Sequence, residues 1–172
     1  SLDINYRPQI WSPEDAAEAI HEVLPEVHLV FCGSPDESRI VTGYEDPADA
    51  AKYFIDHGVK IAALTMAEDG AYAATADESV LLPHVARQVR GPQGAGDAFV
   101  GGFLAGHLAG APLVTAARMG ALVAGLKVER HGPLRGIPQH AEVVARAREL
   151  EWSDVLHALE KLSGNSGELE AT

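Results

Sequence analysis

Four residues, Gly94-Ala95-Gly96-Asp97, carry the clearest chemical signal in this sequence. They fall between a β-like stretch and a long apolar segment, where a helix would begin. Residues without bulky side chains let a backbone approach a ligand closely. The first turn of a helix leaves N–H groups unpaired and carries about half a positive charge. The amides of Gly94, Ala95 and Gly96, with that of Asp97, are therefore a candidate anion hole for a phosphoryl group in transfer. Asp97, fixed in the same turn, could accept a proton from a hydroxyl beside that anion. Charge stabilisation and a base are the two halves of phosphoryl transfer to an alcohol. The same residues also read as a glycine-rich helix cap in which Asp97 merely complements the dipole, and on their own they leave both readings open.

Other motif chemistries fail on details. A dinucleotide fingerprint requires glycine where Phe99 stands, and an acid about 20 residues further on is missing. The Gly-Lys-Ser/Thr of a P-loop is absent. His21-Glu22 and His28 have the wrong spacing for a zinc helix and are interrupted by Pro25, and the eight histidines show no ligand clustering. Metal chemistry based on His or Cys is therefore not expected. Gly102, Gly106 and Gly110 recur every four residues, as in packed membrane helices. Asp97, His107 and the Gly110–Pro112 break leave no span of ~20 apolar residues, so the stripe is expected to seat one helix close against another.

The positioning elements must come from 172 residues, one domain on a prior of ~150 residues per domain. A chain of this size buries a core without a disulfide or metal staple. Hydrophobic residues at 47% and charged residues at 22% exclude wholesale disorder. Asp+Glu 25 against Lys+Arg 13 gives a net charge of −12, which repels phosphate backbones and anionic lipid. Nucleic acid and membrane surfaces are therefore not expected as partners, and an anionic ligand must be held by local groups. A single cysteine, Cys32, and the absence of a basic-then-apolar leader fit a cytoplasmic location. The abrupt start, Ser1 followed by strand-like Leu2-Asp3-Ile4, reads as a fragment whose partner lies N-terminal.

Ser12-Pro13-Glu14-Asp15 predicts a helix start, with a hydroxyl cap, proline at N1 and acids at the positive dipole end, running to about Leu24. Ser34-Pro35-Asp36-Glu37 repeats the pattern with an acid at N3, a capping box leading to a helix that ends near Gly43. A third helix is predicted from Asp46 to Gly58. Strands are predicted at Leu2–Ile4, Val27–Phe31 and Lys60–Thr65, with a hairpin of Ala71–Thr75 and Val80–Leu82 and a further strand at Val85–Val89. Helices follow over Ala95–Leu108, Pro112–Val128, Gln139–Leu150 and Ser153–Leu162, and the chain ends in a polar tail. This alternation implies an α/β sandwich with a largely parallel central sheet.

Gly91-Pro92-Gln93-Gly94-Ala95-Gly96-Asp97-Ala98-Phe99, continuing through Gly102-Phe103, resembles the C-terminal signature of the PfkB (ribokinase-like) carbohydrate kinases. Three further segments match in the family's order. Asp3-x-Asn5-x-Arg7-Pro8 with Trp11 resembles a segment of 2-keto-3-deoxygluconate kinases, Leu64–Gly70 occupies the place of a Gly-x-x-Gly nucleotide loop, and Ala124–Gly132 with Ile137-Pro138 resembles the closing helix and loop.

The resemblance implies a three-layer ribokinase-like sandwich, of which this chain is the C-terminal part without lid or N-terminal strands. Residues 1–162 are expected to form the nucleotide-binding α/β domain and 163–172 a flexible tail. It further implies an ATP-dependent sugar or sugar-acid kinase, with ATP as co-substrate and Mg2+ as cofactor. Asp97 would be the general base, and Gly94, Ala95 and Gly96 the hole for the γ-phosphoryl group. Thr65, Ala67, Glu68 and Gly70 would line the phosphates, while Ala121 and Gly125 leave room beside adenine. Asn5 and Arg7 would contact the sugar, Arg7 by a guanidinium fork suited to carboxylate or phosphate, or else Arg7 forms an ion pair near the sheet edge. Ser34 and Glu37 stand where the family keeps an Asn-x-x-Glu pair associated with magnesium, although Ser34 replaces the Asn and helix capping, which explains both residues, is the stronger reading. Self-association would run through the missing N-terminal half. Two departures stand out: Gly91 where the family has Asp, and Ala67 where it has Gly. A truncated or degenerate homologue that binds nucleotide without catalysis is the alternative.

Overall fold

Short apolar runs alternating with capped helices build a mixed five-stranded sheet in the first half of the chain and a helical array in the second. The computed structural model describes residues 1–132 and 136–169, with side chains to residue 164. It divides into two units, Ser1–Pro83 and His84–Thr172.

In the first unit, β1 (Leu2–Asp3), β2 (Leu29–Gly33) and β3 (Ile61–Thr65) are parallel neighbours, and β4 (Ala71–Ala74) and β5 (Ser79–Leu82) continue the sheet antiparallel, in the order β1-β2-β3-β4-β5. Leu29–Cys32 are buried at successive positions, as an inner parallel strand requires. Helices α1 (Pro13–Val23), α2 (Asp36–Thr42) and α3 (Pro47–Asp56) connect the parallel strands. Ser12 caps α1 by accepting from the Asp15 N–H at 3.1 Å, and Asp46 caps α3 through the N–H groups of Ala48 and Asp49. Phe54, Leu24, Val30, Val59 and Leu64 pack in one cluster with Cys32. Burial pushes the Cys32 thiol far above its ordinary value, with Glu37 and Asp3 adding to the shift.

The second unit holds α4 (Ala95–Leu108), α5 (Leu113–Val128), α6 (His140–Glu149) and α7 (Ser153–Leu169). Helix α7 thus continues past the predicted end at Leu162, while residues 170–172 lie outside the described residues. Met119, Leu122, Leu126, Val143, Val155 and Leu159 form its core. None of the helices among the described residues is long and apolar enough to cross a membrane.

Three local expectations are corrected. Val85–Val89 is not a strand, because its polar groups are taken by helix side chains. Arg146 donates to the Val85 carbonyl at 3.1 Å, and the Arg87 N–H donates to Glu129 at 2.8 Å. The capping box at Ser34–Glu37 does not form: α2 has no side-chain cap, Ser34 donates instead to the Glu45 carbonyl, and Glu37 turns back toward Gly33 and Tyr6. A capping box occurs instead at Gln139 and Glu142, at the start of α6. The glycine stripe contributes two of its three members to helix packing. A Cβ on Gly102 would lie 2.6 Å from the Met119 carbonyl, and one on Gly106 2.9 Å from Met119 Sδ, whereas Gly110 has open space around it and φ +75 in the α4–α5 turn.

Candidate active site

In the first unit the expected ligand-binding residues gather at the carboxyl edge of the parallel strands, where open α/β sheets bind ligands. β1 runs on to Ile4, whose N–H donates to the Phe31 carbonyl at 3.0 Å. Asn5 then adopts φ +42, a left-handed turn that asparagine tolerates. The turn sends the Tyr6 N–H to Glu37 Oε1 at 2.9 Å, while Gly33, the last residue of β2, donates its N–H to Oε2 at 2.7 Å. One carboxylate therefore ties together the ends of β1 and β2. Burial pushes the Glu37 carboxyl above its ordinary value, against these two hydrogen bonds, which lower it. Among charged neighbours Asp3 raises it further and Arg7 lowers it.

Asn5 and Arg7 are both exposed, and Arg7 donates to the Tyr6 carbonyl at 3.1 Å. Among the described residues Arg7 makes no salt bridge, so the sheet-edge ion pair expected as its alternative role is not formed. Beside this edge, Thr65 closes β3 in register with Gly33, and the Ser34 N–H donates to the Thr65 carbonyl at 2.9 Å. A single 3₁₀ turn of Ala67–Asp69 follows, closed by the Met66 N–H on the Gly70 carbonyl at 2.8 Å. Ala67 and Glu68 are exposed in it. Ala67 adopts φ +48, which explains why glycine is the residue expected there.

In the second unit the Gly94–Asp97 turn forms as its composition predicts. Gly94 is the residue before α4, at φ +79 and ψ +13, and no side chain caps the helix. The Ala95 N–H is already used by the Pro92 carbonyl at 3.0 Å, which narrows the expected anion hole. Among the described residues the N–H groups of Gly94, Gly96 and Asp97 have no acceptor. Gly96 and Asp97 are exposed, and a Cβ built on Gly96 meets nothing within 4 Å. Three unsatisfied amides, a helix dipole and an exposed carboxylate thus share one turn.

The loop before this turn is held tightly. Gly91 is buried, and a Cβ there would lie 2.7 Å from the Arg130 carbonyl, so the aspartate expected from the resemblance has no space. Ala121 is buried in α5. The space beside Gly125 is filled by the protein itself, a Cβ there lying 2.6 Å from Val85 Cγ2.

Two groups escaped the sequence reading. Lys127 is fully buried and donates to the carbonyls of Gly91, at 2.7 Å, and of Gln93. Its only signal was a lone cation in the apolar run Ala121–Val128. Arg146 clasps Glu129 with bonds of 3.0 and 3.1 Å, a pairing of residues in different elements that spacing does not reveal.

Among the described residues no cluster of three or more His, Cys, Asp or Glu side chains could hold a metal ion. Glu37 spends both oxygens on backbone N–H groups. Magnesium commonly binds through one or two carboxylates plus phosphate oxygens from a ligand.

Comparison with known proteins places the chain in a family. The family model for pfkB family carbohydrate kinases matches residues 1–140. A 2-dehydro-3-deoxygalactonokinase of Haloferax volcanii is 34% identical over 148 residues, 85% of this chain and 46% of the relative. An ATP-dependent 6-phosphofructokinase of Thermoanaerobacterium thermosaccharolyticum is 31% identical over 137 residues, 79% of this chain and 42% of the relative. The chain spans about half the length of the curated relatives it matches. An E. coli protein described as a ribokinase II, solved with ATP and Mg2+, shares the fold at a TM-score of 0.77 and 24% identity, covering 87% of this chain and 48% of that one. With the signature turn, the parallel strand ends and a family match over residues 1–140 in agreement, the chain belongs to the pfkB family of carbohydrate kinases.

Proposed function

We propose that this chain is the nucleotide-binding part of an ATP-dependent kinase that transfers the γ-phosphoryl group to a hydroxyl of a sugar or sugar acid. The observation that carries the reading is the uncapped, left-handed start of α4, where the free N–H groups of Gly94, Gly96 and Asp97 lie beside an exposed Asp97 carboxylate. Phosphoryl transfer asks the protein mainly for positioning and charge stabilisation, and amides that need no reorganisation supply both. Asp97 takes the proton of the attacking hydroxyl as the new O–P bond forms and the bond from the γ-phosphorus to the β,γ-bridging oxygen breaks, ADP leaving with the electron pair on that oxygen. Magnesium arriving with ATP would supply neutralisation of the phosphate charge.

Thr65, Ala67, Glu68 and Gly70 are the candidate phosphate-loop residues, and Ala121 borders the nucleotide through α5. Gly125 supports that border indirectly, by letting the Val85 segment approach. Asn5 and Arg7, exposed at the strand ends, suit the acceptor. A guanidinium that makes no salt bridge among the described residues favours an acceptor bearing carboxylate or phosphate. The name of the Haloferax volcanii relative supports the keto-deoxy sugar-acid branch.

The test is turnover of MgATP with 2-keto-3-deoxygluconate or its galacto epimer by the natural gene product containing this chain, with Asp97→Asn beside it. The variant should lose about 10²- to 10⁴-fold in kcat while binding MgATP normally. Undiminished phosphorylation by the variant would remove Asp97 as the base. Tight MgATP binding with no turnover on any sugar by the unmodified protein would favour a nucleotide-binding homologue without catalysis.

A further inference from the structure

The chemistry proposed above makes no use of Lys127, yet among the described residues of the second unit no charge is more deeply buried. The residue is 0% exposed, and its Nζ donates to the Gly91 carbonyl at 2.7 Å and to the Gln93 carbonyl. Among the described residues no carboxylate pairs with it. Gly136 packs on its stem, and a Cβ there would lie 3.4 Å from Lys127 Cε. Taking an ammonium out of water without a counter-ion costs several kcal/mol unless fixed dipoles replace the water. Here two carbonyl dipoles do so, and both belong to the loop that leads into the anion-binding turn.

The consequence follows from peptide geometry. In a planar trans peptide the C=O and N–H point in opposite directions. The Gln93–Gly94 peptide is trans, since among the described residues the cis bond is at Ser34-Pro35. Holding the Gln93 carbonyl on Lys127 therefore turns the Gly94 N–H away from Lys127, and that N–H is one of the three without an acceptor. The Gly91 carbonyl, pinned by the same ammonium, stops the loop from rotating about Pro92.

We propose that Lys127 is a built-in cation and a positioning residue: by holding the Gly91 and Gln93 carbonyls it aims the Gly94 N–H at the terminal phosphoryl group, and its covalent attachment removes any need for a dissolved monovalent cation there. This rests on the kinase reading of the turn. Backbone carbonyls gathered on a buried monovalent charge are also how proteins hold a free alkali cation, and here the ammonium is tethered.

The experiment compares the 172-residue chain with Lys127→Met, which keeps the volume, and Lys127→Ala, which opens it, by calorimetry with Mg-bound ADP and a non-hydrolysable ATP analogue. Removing a charge-assisted support of this kind should weaken the ATP analogue about tenfold or more and ADP much less, because only the former presents a terminal phosphoryl to the turn. Methylammonium should restore Lys127→Ala, whereas tetramethylammonium, too large for the site, should not. Equal losses for both nucleotides, unrelieved by methylammonium, would reduce Lys127 to a packing role and overturn the proposal. Should neither variant fold, the unmodified chain decides, binding the analogue equally in potassium and tetramethylammonium salts if the cation is built in and more tightly in potassium if it is not. An unmodified chain that binds no nucleotide counts against the kinase reading instead. The cation is then judged by melting: methylammonium should raise the Tm of Lys127→Ala and leave the unmodified chain unmoved, and no effect on the variant would overturn it.

Discussion

Gly94 and Ala67 both adopt a left-handed backbone, but only glycine does so without strain, and the difference separates a turn built for exposure from one that merely tolerates it. At Gly94 the positive φ ends the loop and opens the first turn of α4, leaving three N–H groups free. At Ala67 the methyl group costs about 1 kcal/mol of local strain, which the closed hydrogen bonds of the Met66–Gly70 turn hold in place. Gly96 has a different reason to be glycine. A Cβ there meets no protein atom, so the fold does not require its absence. The ligand would. Gly96→Ala is therefore expected to keep its unfolding free energy within about 0.5 kcal/mol of the parent while weakening MgATP about tenfold. Chemical denaturation and calorimetry on the same samples check this, and unchanged affinity would mean that no phosphate approaches that backbone.

Helices α4 and α5 approach at backbone distance, and the physical cause lies in three glycines facing across the contact. A Cβ on Gly102 would strike the Met119 carbonyl at 2.6 Å, one on Gly120 the Phe99 carbonyl at 2.9 Å, and one on Gly106 Met119 Sδ at 2.9 Å. Gly101, one position along, faces open space. The neighbouring substitutions should therefore differ in sign. Gly102→Ala is expected to lose about 2 kcal/mol by overpacking, whereas Gly101→Ala gains up to about 1 kcal/mol because alanine restricts the unfolded chain and favours the helix. Urea midpoints measure both, and equal effects would show that the helices are not seated as described. The same contact matters for the proposed chemistry, since α4 begins at the Gly94–Asp97 turn and α5 carries Lys127.

Across the whole chain, a net charge of −12 means that acid relieves repulsion, but individual carboxylates respond in opposite directions. Glu37 is held above its ordinary value, chiefly by burial. Its contribution to stability is full below the ordinary carboxylate range and is lost as pH rises through its folded value. Glu129 is the reverse. Burial alone would raise it, but hydrogen bonds from Arg146 and the Arg87 N–H, and the charges of both arginines, hold it low. Its contribution is present above the ordinary range and lost as pH falls through the folded value. The Arg146–Glu129 side chains are only 7% and 16% exposed, so solvent screens this pair little. Denaturation from about pH 3 to pH 7 should show the stability difference between parent and Glu37→Gln falling with pH, and that between parent and Glu129→Gln rising. Parallel slopes would contradict the assignment of the two environments.

What could be read from the sequence was whatever depends on neighbours along the chain. The caps of α1 and α3, the strand runs, the α4 glycine turn and its carboxylate are all set by residues within a turn of one another, so local stereochemistry decides them. Elsewhere the same local logic met competition. Ser34–Glu37 has the letters of a capping box, but Glu37 found two N–H groups at the ends of different strands and went there. Val85–Val89 has strand-like composition, but its polar groups were claimed by Arg146 and Glu129 from distant helices. Gly91, Gly125 and Lys127 owe their identities to backbone that comes near only on folding, and a carbonyl's direction is invisible in a sequence. Sequence alone thus determined which residues are candidates for the chemistry, while tertiary structure decided how their amides are aimed, because aiming depends on groups far apart in the chain meeting within hydrogen-bonding distance.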